Sequence, residues 1–231
     1  MQKFEYFAGQ QKSPEWFELR RGRVTASRLD DWLSVSKAKT GTGKPLKKRL
    51  DYEKELLFER SFNVSYQNFV SEAMREGIDF EDFARLQYNK INEVTALECG
   101  CWYNDLLVAS PDGVVGENGL IEIKVLRDNS FTEVLTSGVP EKHWRQIQGC
   151  LYASGRKWSD YIAINLNTKK LKIIRVLPDQ EFFDYLDLSL QESLVVAEFP
   201  TDGVFDFVDA LPEGTVIPAI LSDLSDSGGW A

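Results

Sequence analysis

The strongest chemical signal in the sequence is Asp112, in Ser110-Pro111-Asp112, followed after nine intervening residues by Glu122-Ile123-Lys124. Alternate side chains on a strand share a face, so Glu122 and Lys124 project together while Ile121, Ile123 and Val125 form the opposite, buried face. The stretch 115–119, ending on Asn118-Gly119, predicts a hairpin that returns Asp112 to the side of that pair. Two carboxylates with a built-in ammonium make a hard-oxygen site. It suits Mg²⁺ or Mn²⁺ activating water for attack on a phosphodiester, with Lys124 orienting the hydroxide and sharing the charge that develops on phosphate. The competing reading is a solvated charge cluster on an exposed hairpin.

A third acid and two amides extend the set. Helical spacing through Met74, Gly77 or Ile78, Glu81, Ala84 and Tyr88 puts Glu81 on the apolar side of its helix. A buried acid needs a partner, either a metal ion or Arg85 one turn later. Gln146 and Gln148 lie on a helix opened by Pro140, and an amide near a carboxylate cluster can hold the attacking water or a phosphate oxygen.

The elements that must position these groups can be read from caps, turns and periodicity. Ser13-Pro14 predicts a short helix through Arg20, and Thr25 or Ser27 caps a second through Leu33. A longer helix covers 71–91; strands follow at 106–112 and 119–126, then the helix from Pro140 to about Ser154. Strands at 161–166 and 171–177 precede a helix over about 180–197. This order predicts an α/β (α+β) fold with a central mixed sheet and helices on its faces. With no repeat and no long linker, the expectation is one domain over 1–231 carrying an acidic helical segment from about 178. Residues 37–49 hold six basic side chains and read as an exposed loop; its Gly-Thr-Gly-Lys lacks the upstream Gly and following Ser or Thr of a phosphate loop.

Composition narrows the chemistry further. The 231 residues are 43% hydrophobic and 27% charged, the mix of a globular protein rather than a fibre or a disordered chain. No apolar run approaches membrane-spanning length and the first residues lack a signal pattern, so the expectation is an intracellular protein with no membrane partner. Three cysteines and one histidine argue against a disulfide framework and a structural zinc site, leaving oxygen ligands for any metal. The net charge of −9 speaks against a nucleic-acid partner until it is divided along the chain. Residues 1–60 carry 14 basic and 9 acidic side chains, whereas 176–231 carry no Lys or Arg and twelve acids. A polyanion can therefore still meet the N-terminal and central surfaces.

Taken together, Glu15-Trp16…Leu19-Arg20-x-Gly22-x-Val24-Thr25-Ala26-Ser27, Gly77-x3-Glu81-x2-Ala84-Arg85, Ser110-Pro111-Asp112-Gly113, Glu122-Ile123-Lys124 and Gln146-x-Gln148 resemble the lambda exonuclease-like (YqaJ) viral recombinases of the PD-(D/E)XK nuclease superfamily. The match runs in order over about 13–165. It implies a restriction-endonuclease-like core in which Asp112, Glu122, Glu81 and the Ile123 carbonyl hold two divalent ions, Mg²⁺ with Mn²⁺ as substitute. It casts Lys124 as partner of the nucleophilic water with Gln146 nearby, and Arg20 and Ser27, assisted by Ser110, as binders of a 5′-terminal phosphate. Ser27 at a helix start and Arg20 as a bidentate donor suit an anion. Gln148 and the loop lysines Lys37, Lys39 and Lys44 are further candidates for DNA contact.

The activity implied is a 5′→3′ double-strand DNA exonuclease of phage or prophage origin, working in the cytoplasm of a bacterial host. The implied assembly is a ring-shaped homotrimer that leaves 3′ single strands for a single-strand-annealing protein. Two readings compete with it: another PD-(D/E)XK endonuclease of restriction or repair, and a catalytically silent DNA clamp. Arg20 and Ser27 favour the exonuclease, since an endonuclease needs no terminal-phosphate pocket. Intact Asp112, Glu122 and Lys124 speak against a silent clamp.

Overall fold

The structure is a computed structural model that describes residues 2–38, 43–64 and 72–192. From the N-terminus it runs β1 (Glu5–Phe7), α1 (Pro14–Arg20), β2 (Val24–Thr25), a 3-10 turn (Ala26–Arg28), α2 (Leu29–Trp32), α3 (Lys47–Phe62) and α4 (Glu72–Asn92). The strands β3 (Ala96–Leu97), β4 (Cys101–Tyr103), β5 (Leu107–Ala109), β6 (Gly113–Val115) and β7 (Gly119–Leu126) follow. The chain continues through α5 (Asp128–Ser137), α6 (Glu141–Ser154), β8 (Trp158–Asn165), β9 (Leu171–Val176) and α7 (Gln180–Glu192).

The mixed α/β architecture agrees with the expectation, but the strands divide between two sheets. One has the order β1-β4-β5-β2 and the other β3-β6-β7-β8-β9. In the second, β7 and β8 are parallel and joined through α5 and α6, the helical crossover that parallel neighbours require, while the remaining pairs are antiparallel. The strand expected over 106–112 ends at Ala109 as β5 of the first sheet; Ser110-Pro111-Asp112 is a step, and the strand that pairs β7 is β6, beyond the expected bounds and in the second sheet. Proline cannot donate to a ladder, so Pro111 is a natural place for a strand to leave one sheet. The hairpin itself stands, with β6 paired to β7 from Gly113↔Ile121 to Val115↔Gly119.

Both faces of β7 are covered. Ile121 and Ile123 pack with Ala84 and Tyr88 of α4, and Leu120 packs with Ile147 of α6 and Tyr161 of β8. Ser13 caps α1 as expected, accepting the Trp16 N–H at 3.2 Å. The second helix departs from the expectation: a 3-10 turn precedes an α-helix of only four residues, and Thr25 makes no side-chain cap. Its backbone N–H donates to the Tyr52 hydroxyl instead, at 3.0 Å.

The basic stretch 37–49 is also not one exposed loop. Helix α3 begins at Lys47; Arg49 is buried over the Trp32 ring, and Lys47 and Lys48 pair with Asp51 and with Asp30 and Asp31. Lys37 and Lys44 are exposed beside a Val35↔Pro45 bridge, whereas Lys39 lies outside the described residues, as does the predicted helix beyond Glu192. Helices α3 and α5 were not anticipated. Among the described residues no helix is long and apolar enough to cross a membrane. All three cysteines are buried and free.

One buried acid fastens α4 to the sheet. Asp160 of β8, 2% exposed, accepts from the Tyr88 hydroxyl at 2.7 Å and from Arg175 Nε and Nη2 at 2.8 and 2.9 Å. Asp160→Ala strands a buried hydroxyl and is expected to cost about 2 kcal/mol, below the range for a fully buried pair because Arg175 is half exposed. Chemical denaturation checks this, and a loss under about 0.5 kcal/mol would show that α4 is held by apolar packing alone.

Candidate active site

Glu122 is the most deeply placed of the acids. It is 1% exposed, and its Oε1 accepts from Lys124 Nζ and from Gln146 Nε2, each at 2.5 Å. Its Oε2 is buried and, among the described residues, has no hydrogen-bond partner. An orphaned carboxylate oxygen in the interior is costly unless something positive reaches it. Burial, then the neighbouring Asp112, push Glu122 well above the ordinary carboxylate range, against the pull of Lys124. Lys124 is raised in turn, the charges of Glu122 and Asp112 outweighing its own desolvation.

Asp112 reaches the same place from the step between the sheets. Its Oδ2 accepts the Ile123 N–H at 2.6 Å, and its own N–H donates to the Ile121 carbonyl at 3.1 Å. The β6–β7 ladder ends at Gly113↔Ile121 while β8 continues beside β7 on the other side, so at Ile123 the β6 side of β7 is left to Asp112. A strand residue's N–H and C=O point to the same side. The Ile123 carbonyl therefore emerges on the edge where Asp112 sits, one more oxygen suited to a hard cation.

Glu81 arrives on α4, from the opposite face of β7. It is partly buried, and burial first, then Asp112, raise it above its ordinary value, while Lys12, Lys124 and Arg85 oppose the shift. The helix ion pair between Glu81 and Arg85 does not form. Arg85 pairs with Asp82 at 2.9 Å and Glu98 at 2.8 Å, and its Nη2 donates to the Asp112 carbonyl at 3.2 Å, so it steadies the backbone that presents Asp112. Among the described residues no three of His, Cys, Asp and Glu stand close enough to form a ready-made ligand cluster. What fits a divalent ion is the donor chemistry: an orphaned Glu122 oxygen, Asp112 beside it, and Glu81 facing Asp112 across a cleft of about 440 Å³ that both of these line.

The two predicted glutamines part company. Gln146 joins the site, whereas Gln148 is 0% exposed and turns to the base of α7, donating to the Leu177 carbonyl at 2.8 Å and accepting the Asp179 N–H at 3.0 Å. With both ends of its amide satisfied internally, Gln148 ties α6 to α7 and is not a DNA contact. Lys37 and Lys44 do not line the cleft.

Arg20, Trp16 and Ser110 form a second constellation. The Arg20 guanidinium lies 4.2 Å from the Trp16 ring centroid, and the Trp16 indole N–H donates to Ser110 Oγ at 2.9 Å. Burial lowers Arg20 from its ordinary value, and among the described residues no carboxylate pairs with it. Ser27 is exposed, its Oγ 3.3 Å from Thr25 Oγ1. The helix dipole argument for Ser27 fails, because it sits inside the 3-10 turn before a four-residue helix. What remains is an exposed hydroxyl.

Sequence reasoning missed several residues. Gln11 Nε2 donates to the carbonyls of Cys99, Gly100 and Pro111 at 3.0, 3.2 and 2.8 Å, fastening the N-terminal loop to the step that carries Asp112. Tyr161 stands opposite Glu122 in the β7–β8 register and bonds His143 Nδ1 at 2.9 Å. Burial and the charge of Lys124 push His143 down to about 3, so it is a neutral imidazole. A signal existed for His143, the single histidine, one turn before Gln146 on the same helix. Nothing marked Gln11.

The family model of the YqaJ-like viral recombinase domain matches residues 15–157. Among solved structures, the fold is similar to an alkaline exonuclease from Laribacter hongkongensis, with a TM-score of 0.68 and 28% identity over 79% of this chain and 91% of that one. The complex of that exonuclease with dAMP gives a TM-score of 0.69 at the same identity and coverage. A phage-related exonuclease from Haemophilus somnus shares the fold, with a TM-score of 0.60 at 12% identity over 77% of this chain and 94% of that one. No curated protein matches the chain significantly.

Proposed function

Because the chain belongs to the YqaJ-like viral recombinase family, and is thereby a deoxyribonuclease of the lambda exonuclease type, we propose that it degrades linear duplex DNA from 5′ ends with Mg²⁺. The observation that carries this reading is the meeting of Asp112, Lys124 and Gln146 around Glu122, whose Oε2 has no partner among the described residues. Asp112, Glu122, Glu81 and the Ile123 carbonyl would hold two Mg²⁺ ions, with Mn²⁺ as substitute. When bound, such ions supply a nucleophile at neutral pH and stabilise charge on the phosphate.

The protein's own groups divide the remaining work. Lys124, fixed against Glu122, orients the attacking water and shares the negative charge that builds on the phosphate oxygens. Gln146 holds Glu122 in one rotamer, leaving Oε2 aimed away from Lys124. Arg20, stacked on Trp16 and paired with no carboxylate among the described residues, supplies a planar fork for a terminal 5′ phosphate. Ser110 and Ser27 add hydroxyls. Exposed Lys37 and Lys44 would meet incoming duplex, and Lys39, outside the described residues, is a further candidate for that contact. The same reading includes a homotrimeric ring, 3′ single-stranded product handed to a single-strand-annealing protein, and work in the cytoplasm of a bacterial host during phage recombination.

The test is digestion of linear duplex labelled at either end, with and without a 5′ phosphate. Nucleotides are expected to leave from the 5′ end, faster when phosphorylated, and only with Mg²⁺ or Mn²⁺. Cleavage of closed circular duplex would instead indicate an endonuclease, and binding without digestion a silent clamp.

A further inference from the structure

The cleft that Glu81 and Asp112 line is also lined by the N-terminal loop, Lys12 included. Lys12 has φ +67°, a left-handed backbone that costs a non-glycine residue about 1–3 kcal/mol and persists only where its surroundings impose it. Here they do. The preceding Gln11 is pinned to three backbone carbonyls, one of them Pro111 beside Asp112, and the following Ser13 caps α1. Lys12 is thus held at a fixed place between the step that carries Asp112 and the helix that carries Trp16 and Arg20.

Its surroundings are acidic. The cleft is lined by Glu81, Asp82, Glu98 and Asp112, and the other lining cation, Arg85, is taken up by Asp82 and Glu98. Lys12 is exposed, and no carboxylate among the described residues pairs with it, although Glu81 lies within reach of its field. An acidic cleft repels a polyanion, and an uncommitted ammonium held in a strained loop over it is a feature in search of a negative partner.

We infer that Lys12 is a substrate-binding residue of this cleft, its ammonium holding a phosphate of the DNA strand being degraded. The inference rests on the exonuclease reading and adds to it a cation from outside the motif residues, facing Glu81 from the N-terminal loop. Arg20 meets the terminal phosphate at one end of α1; Lys12 meets a phosphate further along the strand at the other.

The decisive variant is Lys12→Gly, which removes the charge and the backbone strain together. It is expected to unfold at a higher temperature than the parent protein, yet to show a KM for 5′-phosphorylated duplex raised about tenfold, with kcat changed less. Binding is measured separately in an Asp112→Asn background, where turnover does not intervene. There the slope of log affinity against log salt is expected to fall by about one on adding Lys12→Gly, and to be restored by Lys12→Arg. An unchanged KM and salt slope overturn the inference, as does a fall in kcat alone. If the unaltered protein fails to digest duplex ends, the exonuclease reading fails; if it digests them and Lys12→Gly leaves the slope unchanged, only the role of Lys12 fails.

Discussion

Asp112→Asn and Lys124→Ala are each expected to lower the rate of duplex digestion by about a thousandfold or more, the scale for losing a metal ligand or the group that stabilises a transition-state charge. The fold should survive both. Asparagine keeps an acceptor for the Ile123 N–H, so the edge of β7 stays closed at that point. Asp112→Asn also removes the anion that, after burial itself, does most to raise Glu122. A carboxyl whose folded value is raised holds its proton more tightly folded than unfolded, so stability is lost as pH rises from its ordinary 4.5 toward the raised value. The metal-free protein should therefore lose stability over that window, and Asp112→Asn should flatten the loss. Adding Mg²⁺ or Mn²⁺ should raise the unfolding temperature of the parent protein and do so less for the variant. A variant that digests within a few-fold of the parent rate would remove Asp112 from the site.

Arg20→Ala is the second large effect, and it is selective. A stacked guanidinium with no carboxylate partner loses its charge-assisted bonds to a terminal phosphate when truncated, worth about 2 kcal/mol, or roughly thirtyfold. Digestion of 5′-phosphorylated ends should slow by about that factor while 5′-hydroxyl ends change little, so the preference between them disappears. Arg20→Lys should rescue poorly, because an ammonium neither stacks on Trp16 as a plane nor offers a fork. A ratio of phosphorylated to unphosphorylated rates that survives in Arg20→Ala would assign Arg20 to packing around Trp16.

The division between what was legible and what was not follows the range of the interactions. Ser13 caps α1 and α6 spans Glu141–Ser154 because caps and turns act within a few residues. The hairpin that joins β6 to β7 is local as well, so Asp112, Glu122 and Lys124 could be placed together from spacing. Expectations failed where a partner lies far along the chain. Arg85 turns from Glu81 to Glu98 and the Asp112 carbonyl, Gln148 is claimed by Leu177 and Asp179, and Arg49 by Trp32. The strand expected over 106–112 stops at Ala109 and its neighbour β6 joins the other sheet, because strand spacing says nothing about which sheet a strand joins.

By itself the sequence determined the family, the mixed α/β class and the groups that the hairpin gathers beside Glu122, since these depend on residue type, short spacing and ordered motifs. Only the tertiary structure decided that Glu122 keeps one oxygen unpartnered, that Gln146 rather than Gln148 faces it, and that Gln11 draws Lys12 over the acidic cleft. Those outcomes rest on contacts between α6 and β7, and between the N-terminal loop and Pro111, whose partners are separated by 24 and 100 residues. Local periodicity carries no information across such distances; packing both faces of β7 and satisfying the backbone carbonyls at the step between the sheets supplies it.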